Sequence, residues 1–148
     1  MLGVKDFVYV IIQFVLLILF FVDIELFKIE VLLFDFWLYF SLFGFLIIVI
    51  AVLQLNTSLS PFPSPKSDAK LVKTGLFKFI RHPIYTGILI SVFSISFWLG
   101  SGYRFLISLA ILILFYFKTR YEEKKLAEKF TEYEIYQSKT GRFLPRLF

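Results

Sequence analysis

Four apolar runs divide the chain. Val4–Val22 is interrupted only by Lys5, Asp6 and Gln13, and Phe36–Leu55 by Ser41, Gly44 and Gln54. Ile84–Leu99 is broken by Thr86 and three serines, and Tyr103–Phe117 by Arg104 and Ser108. At about 1.5 Å per helical residue, the first two runs can cross a hydrocarbon core of about 30 Å. The last two are slightly short and need flanking residues, snorkelling side chains or local thinning to do so. Gly100-Ser101-Gly102 predicts a tight turn between them. Pro83 suits the first turn of a helix, where its missing N–H costs nothing. The expected hairpin therefore has arms Pro83–Leu99 and Tyr103–Thr119, of 17 residues each. Past Glu123, the spacing of Leu126, Phe130 and Tyr133 among charges predicts an amphipathic helix lying in the interface.

Composition agrees with the pattern. The 148 residues are 59% hydrophobic, with a mean hydropathy of +0.81 and 21 phenylalanines. That is too apolar for a soluble domain of this size and predicts an all-α integral membrane bundle of about four spans. The absence of cysteine excludes disulfides, thiolate metal sites and a cysteine nucleophile. No metal-ligand pattern, Gly-rich phosphate loop or internal repeat stands out, and nothing suggests a nucleic-acid partner. Val22 is not followed by a small-residue cleavage site, so the first run is expected to remain as an anchor.

Charge orients the bundle. The first loop carries Asp23, Glu25, Glu30 and Asp35 against Lys28 alone. The second carries Lys66, Lys70, Lys73, Lys78 and Arg81 against Asp68, and eight basic residues follow from Lys118 onward. By the positive-inside rule, the second loop, the tail and the N-terminus are expected in the cytoplasm. The expected organisation is a single membrane domain: two N-terminal spans in 1–56, a cytoplasmic connector in 57–82, the hairpin in 83–120 and a tail in 121–148. Ser58–Pro65 carries three prolines and predicts an extended connector over the cytoplasmic surface.

Two polar clusters fall on that same face. Arg81-His82-Pro83-Ile84-Tyr85-Thr86-Gly87 contains the only histidine and opens the hairpin. Lys118-Thr119-Arg120-Tyr121-Glu122-Glu123 ends it. Equal arms bring His82 and Tyr85 opposite Lys118–Glu123. A helix start offers free N–H groups and partial positive charge to a carboxylate. Glu122 and Glu123 offer negative charge to an ammonium or to ribose hydroxyls. The two ends together suit a zwitterionic ligand. Taken singly, His82 could merely cap a helix, the glutamates could form a solvated helix end, and Gly87 could serve close helix packing.

The ordered set carries a resemblance. Leu71-Val72-x-x-Gly75-x-Phe77, then Arg81-His82-Pro83-x-Tyr85-x-Gly87, then Arg120-x-Glu122-Glu123-x-x-Leu126 follow one another. After them come Phe130, Tyr133-x-x-Tyr136 and Thr140-Gly141-Arg142-Phe143-Leu144-Pro145. This resembles the isoprenylcysteine carboxyl methyltransferase and phospholipid methyltransferase superfamily over roughly the last half of the chain. The resemblance implies an integral membrane enzyme that uses S-adenosylmethionine. It implies that His82, Pro83, Ile84 and Tyr85 hold the methionine end of that cofactor. Glu122, supported by Glu123, would bind another polar group of it, and Lys70, Leu71, Val72 and Phe77 would line the nucleoside side. Lys118 or Arg120 would meet the carboxylate or phosphate of a lipophilic or lipidated acceptor, with membrane lipid as the surrounding partner. Many relatives carry tyrosine at Phe77, glycine at Thr131 and arginine at Lys118, and a lysine cannot form a planar fork. The resemblance favours carboxyl O-methylation over phospholipid N-methylation, and no general base is assigned. The alternatives are an NADPH-dependent sterol-reductase-like enzyme, which typically pairs the Arg-His-Pro element with Arg-Asp-Glu and a later Cys and Trp, and a non-enzymatic membrane scaffold.

Overall fold

A computed structural model describes residues 2–22, 24–29 and 34–146. Asp23 and Glu30, counted above in the charge of the first loop, lie outside the described residues. The described residues form five helices: α1 (Val4–Phe21), α2 (Phe36–Leu55), α3 (Pro83–Trp98), α4 (Gly102–Lys129) and α5 (Tyr133–Lys139). Short 3-10 turns at Asn56–Ser58 and Gly75–Lys78 punctuate the connector. Among the described residues there are no strands, only two isolated bridges. α1, α2 and α4 are each long and apolar enough to cross a membrane, and α3 is a shorter apolar helix. The protein is an all-helical integral membrane bundle.

The helices pack in the order α2–α3–α4–α1. Small residues set the tightest contact. Ser41, Gly44 and Ala51 form the buried side of α2, and Gly87 faces them from α3. A methyl group on Gly44 would stand 2.6 Å from Ser91 Oγ and 2.7 Å from the Gly87 carbonyl. Lipid tails are as apolar as leucine, so close backbone approach and hydrogen bonds hold such helices together. Ser91 adds one, donating to the Ser41 carbonyl at 3.2 Å. Between α3 and α4, Ser96 and Ser108 hydrogen-bond at 3.1 Å. The packing role of Gly87 is thus real, and it coexists with a position one turn above the polar cluster.

α1 buries a stripe at seven-residue intervals, Asp6, Gln13 and Phe20. Two of those three positions are polar. Its other sides, with Phe7, Ile11, Phe14 and Ile18 exposed, suit lipid. The turn from α3 to α4 forms as expected: Gly100 adopts φ +60° and Ser101 caps α4, accepting from the Arg104 N–H at 3.3 Å. The segment 24–29 closes over it through Gly102 N–H to the Phe27 carbonyl at 2.9 Å.

α4 differs from the sequence expectation. It has 28 residues and continues unbroken past Thr119 to Lys129. Nothing between Lys118 and Lys129 breaks a helix, and Ala127 and the charged residues favour one. Leu126, Phe130 and Tyr133 consequently fall on the end of α4, the link and the start of α5. α5 turns its buried Tyr133 and Tyr136 back onto the bundle.

Gly87→Val should disrupt the α2–α3 contact, since overpacking a close crossing costs about 1–3 kcal/mol. The expected outcome is a clear fall in the thermal unfolding midpoint in detergent. Gly3→Ala, where a methyl group would meet nothing closer than 3.7 Å, should leave the midpoint unchanged.

Candidate functional site

The site is assembled where α3 begins. His82 stands at the N-cap of α3 and Pro83 at its first position. The approach is held by the C-terminal tail. Arg81 N–H donates to the Gly141 carbonyl at 2.9 Å, His82 N–H to Arg142 O at 3.2 Å, and Gly141 N–H to Phe79 O at 3.1 Å. Thr86 Oγ1 reaches the Phe143 carbonyl at 2.8 Å. The Thr140–Phe143 motif therefore splints the strand-like entry to α3.

Glu123 is the electrostatic centre of this assembly. Its carboxylate, 5% exposed, accepts from Arg81 Nε at 2.8 Å and from Arg142 at 2.6 and 3.2 Å. Gln137 Nε2 donates to it at 3.2 Å. His82 Nε2 lies 3.3 Å from the same carboxylate but is not aligned to hydrogen-bond it. Arg81 also donates to the Gln137 and Thr140 carbonyls. Four segments distant in sequence thus meet on one buried anion, as a buried charge requires.

In front of this node lies a cavity of about 320 Å³, within the range of roughly 300–1,000 Å³ that holds cofactor-sized ligands. One wall carries the polar groups His82, Tyr85 and Glu122, with Pro83 and Ile84 between the first two. Tyr85 OH donates to Glu122 Oε2 at 3.0 Å, and His82 Nδ1 lies 3.9 Å from that oxygen. The opposite wall is apolar, with Leu71, Val72 and Phe77 from the connector and Leu126 and Phe130 beyond Glu122. Tyr133 and Tyr136 close the outer end. Tyr136 OH donates to the Phe77 carbonyl at 2.6 Å. Tyr133 is 1% exposed and its hydroxyl makes no hydrogen bond among the described residues. Burial pushes the Tyr136 hydroxyl up to about 12 and raises that of Tyr133 further, helped by the charge of Glu123. Both remain protonated donors at any working pH.

The proline-rich connector roofs the cavity, and the polar interruptions of the first two apolar runs anchor it. Asp6 on α1 accepts from Ser64 N–H and Ser64 Oγ, each at 2.9 Å. Gln54 on α2 accepts from Leu76 N–H at 3.0 Å. Lys118, fully buried, donates to the Pro61 carbonyl at 3.0 Å and to Gln13 Oε1 on α1. Its ammonium also lies 5.2 Å from the centre of the Tyr85 ring.

Of the residues singled out in the sequence, Lys70, Leu71, Val72, Phe77, His82, Pro83, Ile84, Tyr85, Lys118 and Glu122 all line this cavity. Glu123 and Arg120 do not. At about 100° per residue, Lys118 and Glu122 share a face of α4 that Arg120 cannot share. Arg120 is exposed, with its guanidinium 5.7 Å from the Tyr116 ring. Glu123 lies one step round from Glu122 and turns into the ion cluster behind the cavity wall. Sequence reading gives no site role to Gln13, to Tyr133 or to the connector Ser58–Pro65, all of which contribute to the cavity lining. The signal available for part of this was the stripe Lys118, Glu122, Leu126 and Phe130 at four-residue intervals. For Gln13 it was a lone amide inside an apolar span.

The family model described as phospholipid methyltransferase matches residues 31–133, which is 103 of the chain's 148 residues. No curated protein matches the chain.

Glu123→Ala should lower stability by about 3–5 kcal/mol, because it leaves the buried Arg81 guanidinium without its anion. Arg120→Ala should change it by less than about 0.5 kcal/mol. Thermal unfolding of the two purified variants in the same detergent checks the contrast.

Proposed function

We propose a function on one premise: the chain belongs to the phospholipid methyltransferase family. It is a membrane methyltransferase acting on a lipophilic substrate. The finer reading is methyl transfer from S-adenosylmethionine to the headgroup amine of a phospholipid, in a cavity opening on the cytoplasmic face. The sidedness rests on the basic connector and tail.

The cavity residues fit the cofactor. The observation that carries the reading is the buried Tyr133 hydroxyl, which belongs to the cavity lining and makes no hydrogen bond among the described residues. Leaving a buried donor or acceptor unpaired costs about 1–3 kcal/mol, which a polar ligand would recover. Glu122, oriented by Tyr85 OH, would hold an ammonium. First-turn N–H groups of α3 would receive a carboxylate. Leu71, Val72, Phe77, Leu126 and Phe130 would cover an apolar ring system. When bound, S-adenosylmethionine supplies a methyl group already activated by its sulfonium. What remains for the protein is alignment and exclusion of water, and the roof anchored on Asp6, Lys118 and Gln54 suits both tasks.

Lys118 favours an amine acceptor over the carboxylate acceptor expected from the resemblance. An ammonium has three protons. Two of Lys118's go to Gln13 and Pro61, and the Tyr85 ring takes up its remaining side. At most one Lys118 proton is left for an acceptor carboxylate, too few for a two-point grip on both of its oxygens. The other lysine at the cavity, Lys70, is exposed. Carboxyl O-methylation of an isoprenylcysteine-type acceptor is the second reading.

Calorimetric titration with S-adenosylmethionine tests the cofactor, with NADPH as control. Saturable binding of the first and none of the second is expected. His82→Ala and Glu122→Gln should each weaken it by about tenfold or more. NADPH binding, or no binding of either by folded protein, would overturn the reading in favour of a reductase or a scaffold. Tyr133→Phe gives a sharper check. It removes a hydroxyl that has no partner, so the ligand-free unfolding midpoint should hold or rise while cofactor affinity falls. Methyl incorporation into phosphatidylethanolamine and into a prenylcysteine, compared in parallel, separates the two acceptor classes.

A further inference from the structure

Gln13 sits in the middle of the first apolar helix, is 9% exposed and lines the inner end of the cavity beside Val52 and Ile88. Polar side chains inside a membrane span are costly and mark functional positions. The carboxamide can be oriented with certainty of chemistry. An ammonium only donates, so the oxygen of Gln13 must face Lys118 and its NH₂ must face away. No hydrogen bond is made by that NH₂ among the described residues. The inner, apolar end of the cavity therefore presents an N–H donor fixed in direction, next to a buried positive charge two of whose protons are held by Gln13 and Pro61. Such a pair matches an anionic oxygen that accepts hydrogen bonds and brings no proton of its own.

We propose that Gln13 reads the phosphodiester of the lipid acceptor, donating from its amide nitrogen to a non-bridging oxygen. Lys118 fixes the amide's orientation and contributes charge to the same oxygen. The proposal rests on the methyltransferase reading for its acceptor and makes α1 part of the specificity apparatus. The apolar neighbours Val52 and Ile88 would take the beginning of the lipid's glycerol and acyl portion, which favours a lipid headgroup over free phosphate.

The test is equilibrium binding in uncharged detergent. The probes are radiolabelled lysophosphatidylethanolamine and a monoacylglycerol with the same acyl chain, with S-adenosylmethionine binding measured on the same samples. Wild type should prefer the phospholipid. Gln13→Glu keeps a partner for Lys118 but loses the donor, and should weaken phospholipid binding by about tenfold or more. Monoacylglycerol and S-adenosylmethionine affinities should stay within about twofold, below the loss of one hydrogen bond. Equal binding of the two lipids by wild type, or unchanged phospholipid binding by Gln13→Glu, would overturn the proposal. So would equal weakening of both lipids, which would make Gln13 a packing residue of the roof. Displacement of the phospholipid by millimolar inorganic phosphate would reassign the subsite to a free anion. Gln13-dependent phospholipid binding without any S-adenosylmethionine binding would sink the methyltransferase reading and leave this one standing.

Discussion

A carboxylate withdrawn from water must be compensated, and in this protein the compensation of Glu123 organises everything around it. Its partners are Arg81 at the entry to α3, Gln137 on α5 and Arg142 in the tail. Tied to one anion, they bring His82 to the start of α3 and carry Tyr133 to the outer end of the cavity. The neighbouring Glu122 is then free of structural duty and faces the cavity with Tyr85. Two adjacent glutamates divide the work because one helical step of about 100° separates a face turned to the tail from a face turned to the cavity.

The second constraint acts from the membrane side. Asp6, Gln13 and Gln54 look like flaws in otherwise apolar spans. Each is a tether: to Ser64, to Lys118, and to the Leu76 N–H. In hydrocarbon an unpaired polar group is expensive, so these side chains hold their partners firmly. The N-terminal helices thereby fix the roof of a cavity whose floor comes from the C-terminal half. The small-residue crossing of α2 and α3, built on Gly44 and Gly87, keeps the two halves in register.

The bundle and most of the cavity were legible in the sequence because both rest on local signals. Helix spans follow from apolar runs, and the ends of α3 from Pro83 and Gly100. The residues from Leu71 to Tyr85 follow from a motif whose members are close in sequence. The extent of α4 was misjudged at Thr119, because hydropathy falls where the helix leaves the apolar layer although helix propensity does not. Glu123 and Arg120 were grouped with Glu122 and Lys118 by adjacency, and adjacency on a helix scatters side chains around its axis.

The sequence by itself determined that this is a helical membrane protein, and which residue types gather in its polar clusters. Those properties depend on composition and spacing, which are written along the chain. Tertiary structure alone decided which of two glutamates faces the cavity. It decided that Lys118 bonds to Gln13 and Pro61, and that the Tyr133 hydroxyl makes no hydrogen bond among the described residues. Each of these is a question of which side chains meet across more than fifty residues of chain or around one helix, and only packing in three dimensions brings those atoms within hydrogen-bonding distance.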